Sequence, residues 1–186
     1  MPPKVKTTKE DIVNAAVEIV RKHGALALNA RTIASTLNIS TQPIFSNFST
    51  MEELRYAVIV KADELCRSYM KNEVERGEYP AYKSTGIAYI RFAKEEKELF
   101  KLLYMRDRSE ESFPKELEIT EEMEDIVRGN TGLRGDSVKI FHLEMWAYVH
   151  GIAVMFATGF LDLEWDLVSK MLTDSYQGLR KQYGME

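Results

Sequence analysis

The stretch from Asn29 to Leu54, NARTIASTLNISTQPIFSNFSTMEEL, decides how this chain is read. It predicts two short helices joined by a tight turn, then the start of a long third helix. Asn29 is placed to cap the first helix, with Ile33, Ala34 and Leu37 at its buried positions. Asn38 falls where that helix ends, in left-handed backbone that Asn tolerates better than most residues. Ile39 plugs the corner, and Ser40 is expected to cap a second helix starting at Thr41. Pro43 sits in its first turn, where no intrahelical hydrogen bond is lost. Ile44 and Phe48, four apart, turn inward, leaving Thr41, Gln42, Phe45, Ser46 and Asn47 outside. This is the layout of a helix-turn-helix with a short polar second helix suited to a major groove.

Upstream, residues 1–6 read as a basic arm, and the first helix is expected to open at Thr7 or Thr8. Thr7 to Glu10 has capping-box spacing; Ile12, Ala16, Ile19, Val20 and His23 keep to one face, and Gly24 closes the helix. Downstream, Thr50 and Glu53 repeat the box and open a helix running to about Arg76, before Gly77. Its stripe is Leu54, Val58, Ala62, Leu65 and Tyr69. Further helices are expected at about 81–95, 96–106, 115–129, 134–160 and 163–183, with loops at Asp107–Pro114 and Gly129–Gly135. No Val/Ile-rich alternating stretch suggests a sheet, so the fold class is all-α. Residues 1–50 form the expected helix-turn-helix domain and 51–186 a helical ligand-binding and dimerisation domain, with the long helix as a lever between them.

Charge distribution supports a localised nucleic-acid contact. The net charge is −4, but up to Thr50 six Lys/Arg stand against three Asp/Glu, a balance of +3 that leaves −7 for the rest. Cys66 is the single cysteine, so no intrachain disulfide is possible and a reducing compartment is the simpler expectation. The N-terminus lacks the apolar core of a signal peptide, which points to a cytoplasmic protein. The most apolar stretch without Asp, Glu, Lys or Arg is Met145–Leu161, seventeen residues containing His150 and two glycines. A membrane helix needs about twenty, so a buried core or interface helix is expected and no membrane partner.

The motif IASTLNIST…IFSNFSTMEEL resembles that of TetR/AcrR-type regulators, over roughly residues 8–56. Ile33-Ala34, the turn Asn38-Ile39-Ser40, the aromatics Phe45 and Phe48, and Glu52-Glu53-Leu54 fall at family spacing. The family usually has Gly at Asn38, Tyr at Phe45 and Lys at Met51. The last two departures remove a phenol and an ammonium that in relatives usually touch the DNA backbone. More loosely, YIRFAKEEKELFKLLYM resembles a bend between two body helices in one subgroup. That subgroup's penultimate helix carries Trp, His and Gly near its centre, as Trp146, His150 and Gly151 do here. The resemblance implies a transcription regulator, most simply a repressor released by a small molecule.

Within that frame Gln42 and Asn47 carry the paired donor and acceptor that match adenine's major-groove edge. Ser40, Thr41 and Gln42 at a helix start can grip a phosphate; Phe45 and Ser46 share the same outer face, and Lys6, Asn29, Arg31 and Thr50 would hold backbone. One such unit contacts too few bases to select a site, so a homodimer on a palindromic double-stranded operator is expected. Trp146, Phe156, Phe160, Trp165, Val168, Leu172 and Tyr176, on the last two helices, are the expected interface. Met70, Phe92, Leu103, Tyr104, Met105, Met123, Phe141, Tyr148 and His150 are the candidate lining of an effector pocket for a hydrophobic or aromatic ligand. The same residue types make ordinary cores, so the pocket itself rests on the resemblance. No zinc-protease, phosphate-loop, Gly-x-Ser-x-Gly or Cys-x-x-Cys motif is present, so no catalytic residue, metal or cofactor is expected. A helical dimer that binds a small ligand and has lost operator binding is the alternative, motivated by Phe45 and Met51.

Overall fold

The computed structural model describes residues 7–107 and 120–185. Lys6, most of the expected Asp107–Pro114 loop and the start of the helix expected over 115–129 lie outside them. Among the described residues all regular structure is helical. The helices are α1 (Lys9–His23), α2 (Ala30–Leu37), α3 (Gln42–Asn47), α4 (Met51–Arg76), α5 (Ala81–Glu95), α6 (Lys97–Tyr104), α7 (Glu121–Thr131), α8 (Asp136–Thr158) and α9 (Trp165–Gln182). A short 3₁₀ turn at Ala25–Ala27 links α1 to α2.

Local chemistry sets most boundaries. The α1 capping box lies one residue later than expected: Thr8 Oγ1 accepts from Asp11 N at 3.1 Å, and Asp11 Oδ2 accepts from Thr8 N at 2.9 Å. Gly24 ends α1 at φ +78°, where a Cβ would also stand 2.9 Å from Glu98 Oε2. At α4, Glu53 N donates to Thr50 Oγ1 at 3.1 Å, but the Glu53 carboxylate accepts from Ser49 N at 2.8 Å. The reciprocal half of that box is therefore displaced one residue upstream.

The helices fall into two compact units, Met1–Leu65 with Glu96–Arg106 and Cys66–Glu95 with Asp107–Glu186. The division does not lie at residue 50, because Leu54, Val58 and Ala62 of α4 and Leu99 and Phe100 of α6 are buried within the first unit. Its remaining interior comes from Ile12, Ala16 and Val20 of α1, Leu28, Ile33 of α2, and Ile44 and Phe48 around α3. Arg21 Nε donates to Glu96 Oε2 at 2.7 Å, tying α6 to α1. In the second unit α5 is the central helix, burying Ile87, Ala88, Tyr89, Ile90 and Phe92. It packs on α8, which buries Val138, Phe141, Met145, Val149, Ile152 and Phe156, with α7 and α9 alongside. By length and hydropathy α8 passes as a membrane span; those six residues instead give it a core face.

Candidate functional site

The corner of the first unit is built by backbone. Asn29 Oδ1 accepts from Arg31 N at 3.0 Å and Thr32 N at 3.1 Å, and Thr32 Oγ1 accepts from Asn29 N at 3.2 Å. Asn38 takes φ 53°, ψ 43°, and Ile39 N donates to Ala34 O at 3.0 Å across the end of α2. α3 then opens at Gln42, not Thr41; Thr41 is its N-terminal flank in helical backbone, and neither it nor Ser40 supplies a side-chain cap. Ile44 and Phe48 are buried, while Gln42, Phe45 and Ser46 are exposed, Phe45 by 52%.

Four expected DNA contacts, Asn47, Asn29, Ser46 and Thr50, already hydrogen-bond within the first unit. Asn47 Nδ2 donates to Pro43 O at 2.8 Å, so this amide lies against its own helix. Asn29 uses Oδ1 on the cap and Nδ2 on Ala27 O at 3.3 Å. Ser46 Oγ also turns back, to Gln42 O at 3.0 Å. That leaves Gln42, Phe45 and Arg31 as the exposed members of the expected set whose side chains make no hydrogen bond among the described residues, beside Ser40 and the half-buried Thr41; Thr50 is exposed but spends Oγ1 on Glu53 N at 3.1 Å. Lys9 Nζ is held by Glu53 Oε1 at 3.1 Å and lies 4.6 Å from the Phe48 ring centre. The Ser49 backbone N–H, and then Lys9, hold the Glu53 carboxyl below the usual carboxylate range.

The expected pocket residues divide between the two units. Leu103, Tyr104 and Met105 belong to the first unit, where Leu103 is buried, Tyr104 packs on Phe100 at 5.1 Å, and Met105 is exposed. In the second unit Phe92 is buried against Tyr69, and Phe141 sits in a core cluster with Tyr82, Val127, Val138 and Met145, onto which Met123 packs. Met70 is half-buried and Tyr148 exposed. The expected interface needs a similar correction. Phe156, Val168 and Leu172 are buried inside the protomer, and Tyr176 lies over Phe141 with its hydroxyl donating to Asn130 O at 2.9 Å. Trp165 stacks on Phe156 and Trp146 on His150. Phe160 is the member that stands clear, 76% exposed. Apolar side chains left outside on α8 are instead Ile140, Leu143 and Ala147, continued by Gly151 and the half-buried Val154. Their 3-4-4-3 spacing puts them on one helical face.

A cavity of about 240 Å³ opens in the second unit, lined by Tyr69, Asn72, Glu73 and Arg76 of α4 and Arg91 and Glu95 of α5. None of these was expected at a site. The signal was available, since Glu73 follows Tyr69 by four and so puts a carboxylate on the continuation of the apolar α4 stripe.

Residues 83–174, about half of the chain and most of the second unit's helices, match the family model described as tetracyclin repressor-like, C-terminal domain. The chain belongs to the TetR family. Whole-chain likenesses agree on the TetR fold. A TetR-like transcriptional regulator from Rhodococcus sp. RHA1 superimposes with a TM-score of 0.66 at 16% identity, over 96% of this chain and 98% of that one. A protein of unknown function from Rhodococcus sp. RHA1 gives 0.74 at 21% identity over 98% of each chain. The multidrug binding protein EbrR, solved with imidazole, gives 0.61 at 16% over 90% and 93%. No curated protein matches the chain.

In this TetR-family body the two α8 histidines face α5 tyrosines. His142 Nδ1 is 3.0 Å from Tyr82 Oη and His150 Nδ1 is 2.9 Å from Tyr89 Oη. Burial pushes both imidazoles below their ordinary value of 6.5 and both phenols up. The folded state therefore favours neutral rings and binds fewer protons than the unfolded chain as pH falls through 6.5. Stability is expected to be level above that pH and to decline below it. Thermal melts of the wild type from about pH 8 to about pH 5 check this. Melts of His142→Gln with His150→Gln should show a flatter acid limb, and an unchanged limb would assign the decline to other groups.

Proposed function

We propose that the chain is a DNA-binding transcription regulator acting as a two-fold homodimer, a repressor released by a small, largely apolar or aromatic effector. The observation that carries this is the corner at Asn38. Left-handed backbone there lets α2 and α3 turn Ile33, Ala34, Ile44 and Phe48 inward while Gln42 and Phe45 stay outside. Gln42 has the donor and acceptor that match adenine's edge, and Arg31 and Thr50 are exposed for phosphate contacts. Likeness to a multidrug binding protein supports an effector. α4 is the proposed link, with residues 51–65 in one unit and 66–76 in the other. An effector that favours one conformer of α4 would lower operator affinity by its differential binding.

Selection from random duplex DNA with purified protein, at low and moderate salt, tests the reading. Enrichment of a palindrome supports it. No enrichment, from folded and ligand-free protein, favours a ligand-binding dimer that has lost operator binding. That second reading draws on Arg31 being the only charged residue between 29 and 50 and on the exposed, hydroxyl-free ring of Phe45. Combining Phe45→Tyr with Met51→Lys is expected to raise operator affinity and to steepen its salt dependence by about 0.9 per added lysine contact. Fluorescence anisotropy over a salt series checks both. An unchanged affinity and slope would show that these two positions do not face phosphate.

A further inference from the structure

Two residues that line the α4–α5 cavity each carry a buried polar atom with no hydrogen bond among the described residues. Glu73 is 3% exposed, and its Oε1 has no partner among the described residues. Its other oxygen, Oε2, accepts from Arg76 Nη1 at 3.2 Å. Arg91 Nε stands 3.6 Å from Oε2, close enough for ion pairing but not for a hydrogen bond, and is likewise unpartnered. An acceptor and a donor on one ion pair are thus both left unmade, which a fold tolerates poorly because each keeps its full desolvation penalty. Both residues line the same space. That space is about 240 Å³, against roughly 30 Å³ for one water in the liquid.

We propose that this cavity binds a small neutral molecule presenting an N–H donor beside a carbonyl acceptor, the edge of a carboxamide or lactam. The N–H would donate to Glu73 Oε1 and the carbonyl would accept from Arg91 Nε, satisfying both atoms with one functional group. The lining argues for neutrality, since Glu73 and Glu95 are balanced by Arg76 and Arg91. Tyr69 adds an aromatic wall, edge-on to Phe92 at 5.4 Å, which favours a flat ligand. Arg76, 55% exposed at its side chain, is the wall that admits it by releasing Glu73 Oε2. Arg91 is held from behind, its guanidinium 5.0 Å from the Trp165 ring centre. A lactam on a ring is a chemical class for the effector proposed above. The link to DNA release rests on that reading, whereas binding itself does not.

The test is titration of the full chain with 2-pyridone and with N-methyl-2-pyridone, followed by backbone amide NMR. The lactam should shift amides of residues 69–76 and 91–95, and the methylated compound, lacking the donor, should bind at least about tenfold more weakly. Arg91→Lys keeps the charge and removes the Nε donor, and should weaken the lactam by a similar factor. If that variant does not fold, the two-probe comparison on the wild type still decides. Equal affinities for the two probes, shifts centred elsewhere, or no shift at the solubility limit of the lactam would each overturn the proposal. The experiment contains no DNA, so its failure is distinct from failure of the operator selection.

Discussion

Replacing Phe141 by alanine is expected to destabilise the second unit by about 3–5 kcal/mol, the range for deleting a fully buried phenylalanine. The ring is 0% exposed. It meets Tyr176 edge-on at 5.7 Å, Tyr183 edge-on at 5.5 Å and Tyr82 at 6.2 Å. Truncation would remove the transfer term, open a void among three aromatic rings and lose their edge contacts. Urea unfolding followed by tryptophan fluorescence isolates this effect, because Trp146 and Trp165, the only two tryptophans, both belong to the second unit. The midpoint should fall with little change in slope. A loss below about 1 kcal/mol would mean that the site collapses around the gap or that Phe141 faces open space, as a pocket residue would.

Phe141 also shows where residue type stops being informative. A phenylalanine on an apolar helix serves a core and a ligand pocket equally well, and what separates them is the neighbouring helix, which local sequence does not name. Helix ends were easier. Asn29, Gly24, Asn38 and the Arg76-Gly77 boundary act within a few residues of themselves, and all stand where the pattern put them. Where two local solutions compete, the spacing was ambiguous by one residue: Thr8 with Asp11 won over Thr7 with Glu10, and Gln42 over Thr41 as the first residue of α3. Gln42 and Asn47 looked alike as base readers until the Asn47 amide closed on Pro43 O, a contact within its own helix. α8 was the hardest helix. It is apolar around most of its girth, so its composition does not say which side meets α5: Phe156 turns inward, while Ile140 and Leu143 of the same apolar girth face out. Glu73 was legible in principle, as a carboxylate in register with an apolar stripe.

The outward side of α8 carries the second large effect. Ile140, Leu143, Ala147, Gly151 and Val154 form a stripe that the protomer leaves largely uncovered, with Phe160, Leu161 and Leu167 also exposed nearby in sequence. A stripe that is small at its centre and apolar at its margin allows two helices to approach closely across a two-fold axis. In the proposed homodimer Ala147→Glu would set like charges against each other at that axis and bury them. Sedimentation equilibrium should show the dimer weakened by about a hundredfold or more, with operator binding lost because paired half-sites need paired heads. Gly151→Ala separates this from a general stability effect. Among the described residues nothing lies within 4 Å of a Cβ at Gly151, so helix propensity alone should stabilise the variant by about 1 kcal/mol. Against a partner's close-packed copy the same methyl should weaken association. A variant that is more stable as a protomer and weaker as a dimer locates the axis at Gly151. If both variants pair like the wild type, α8 is not the interface.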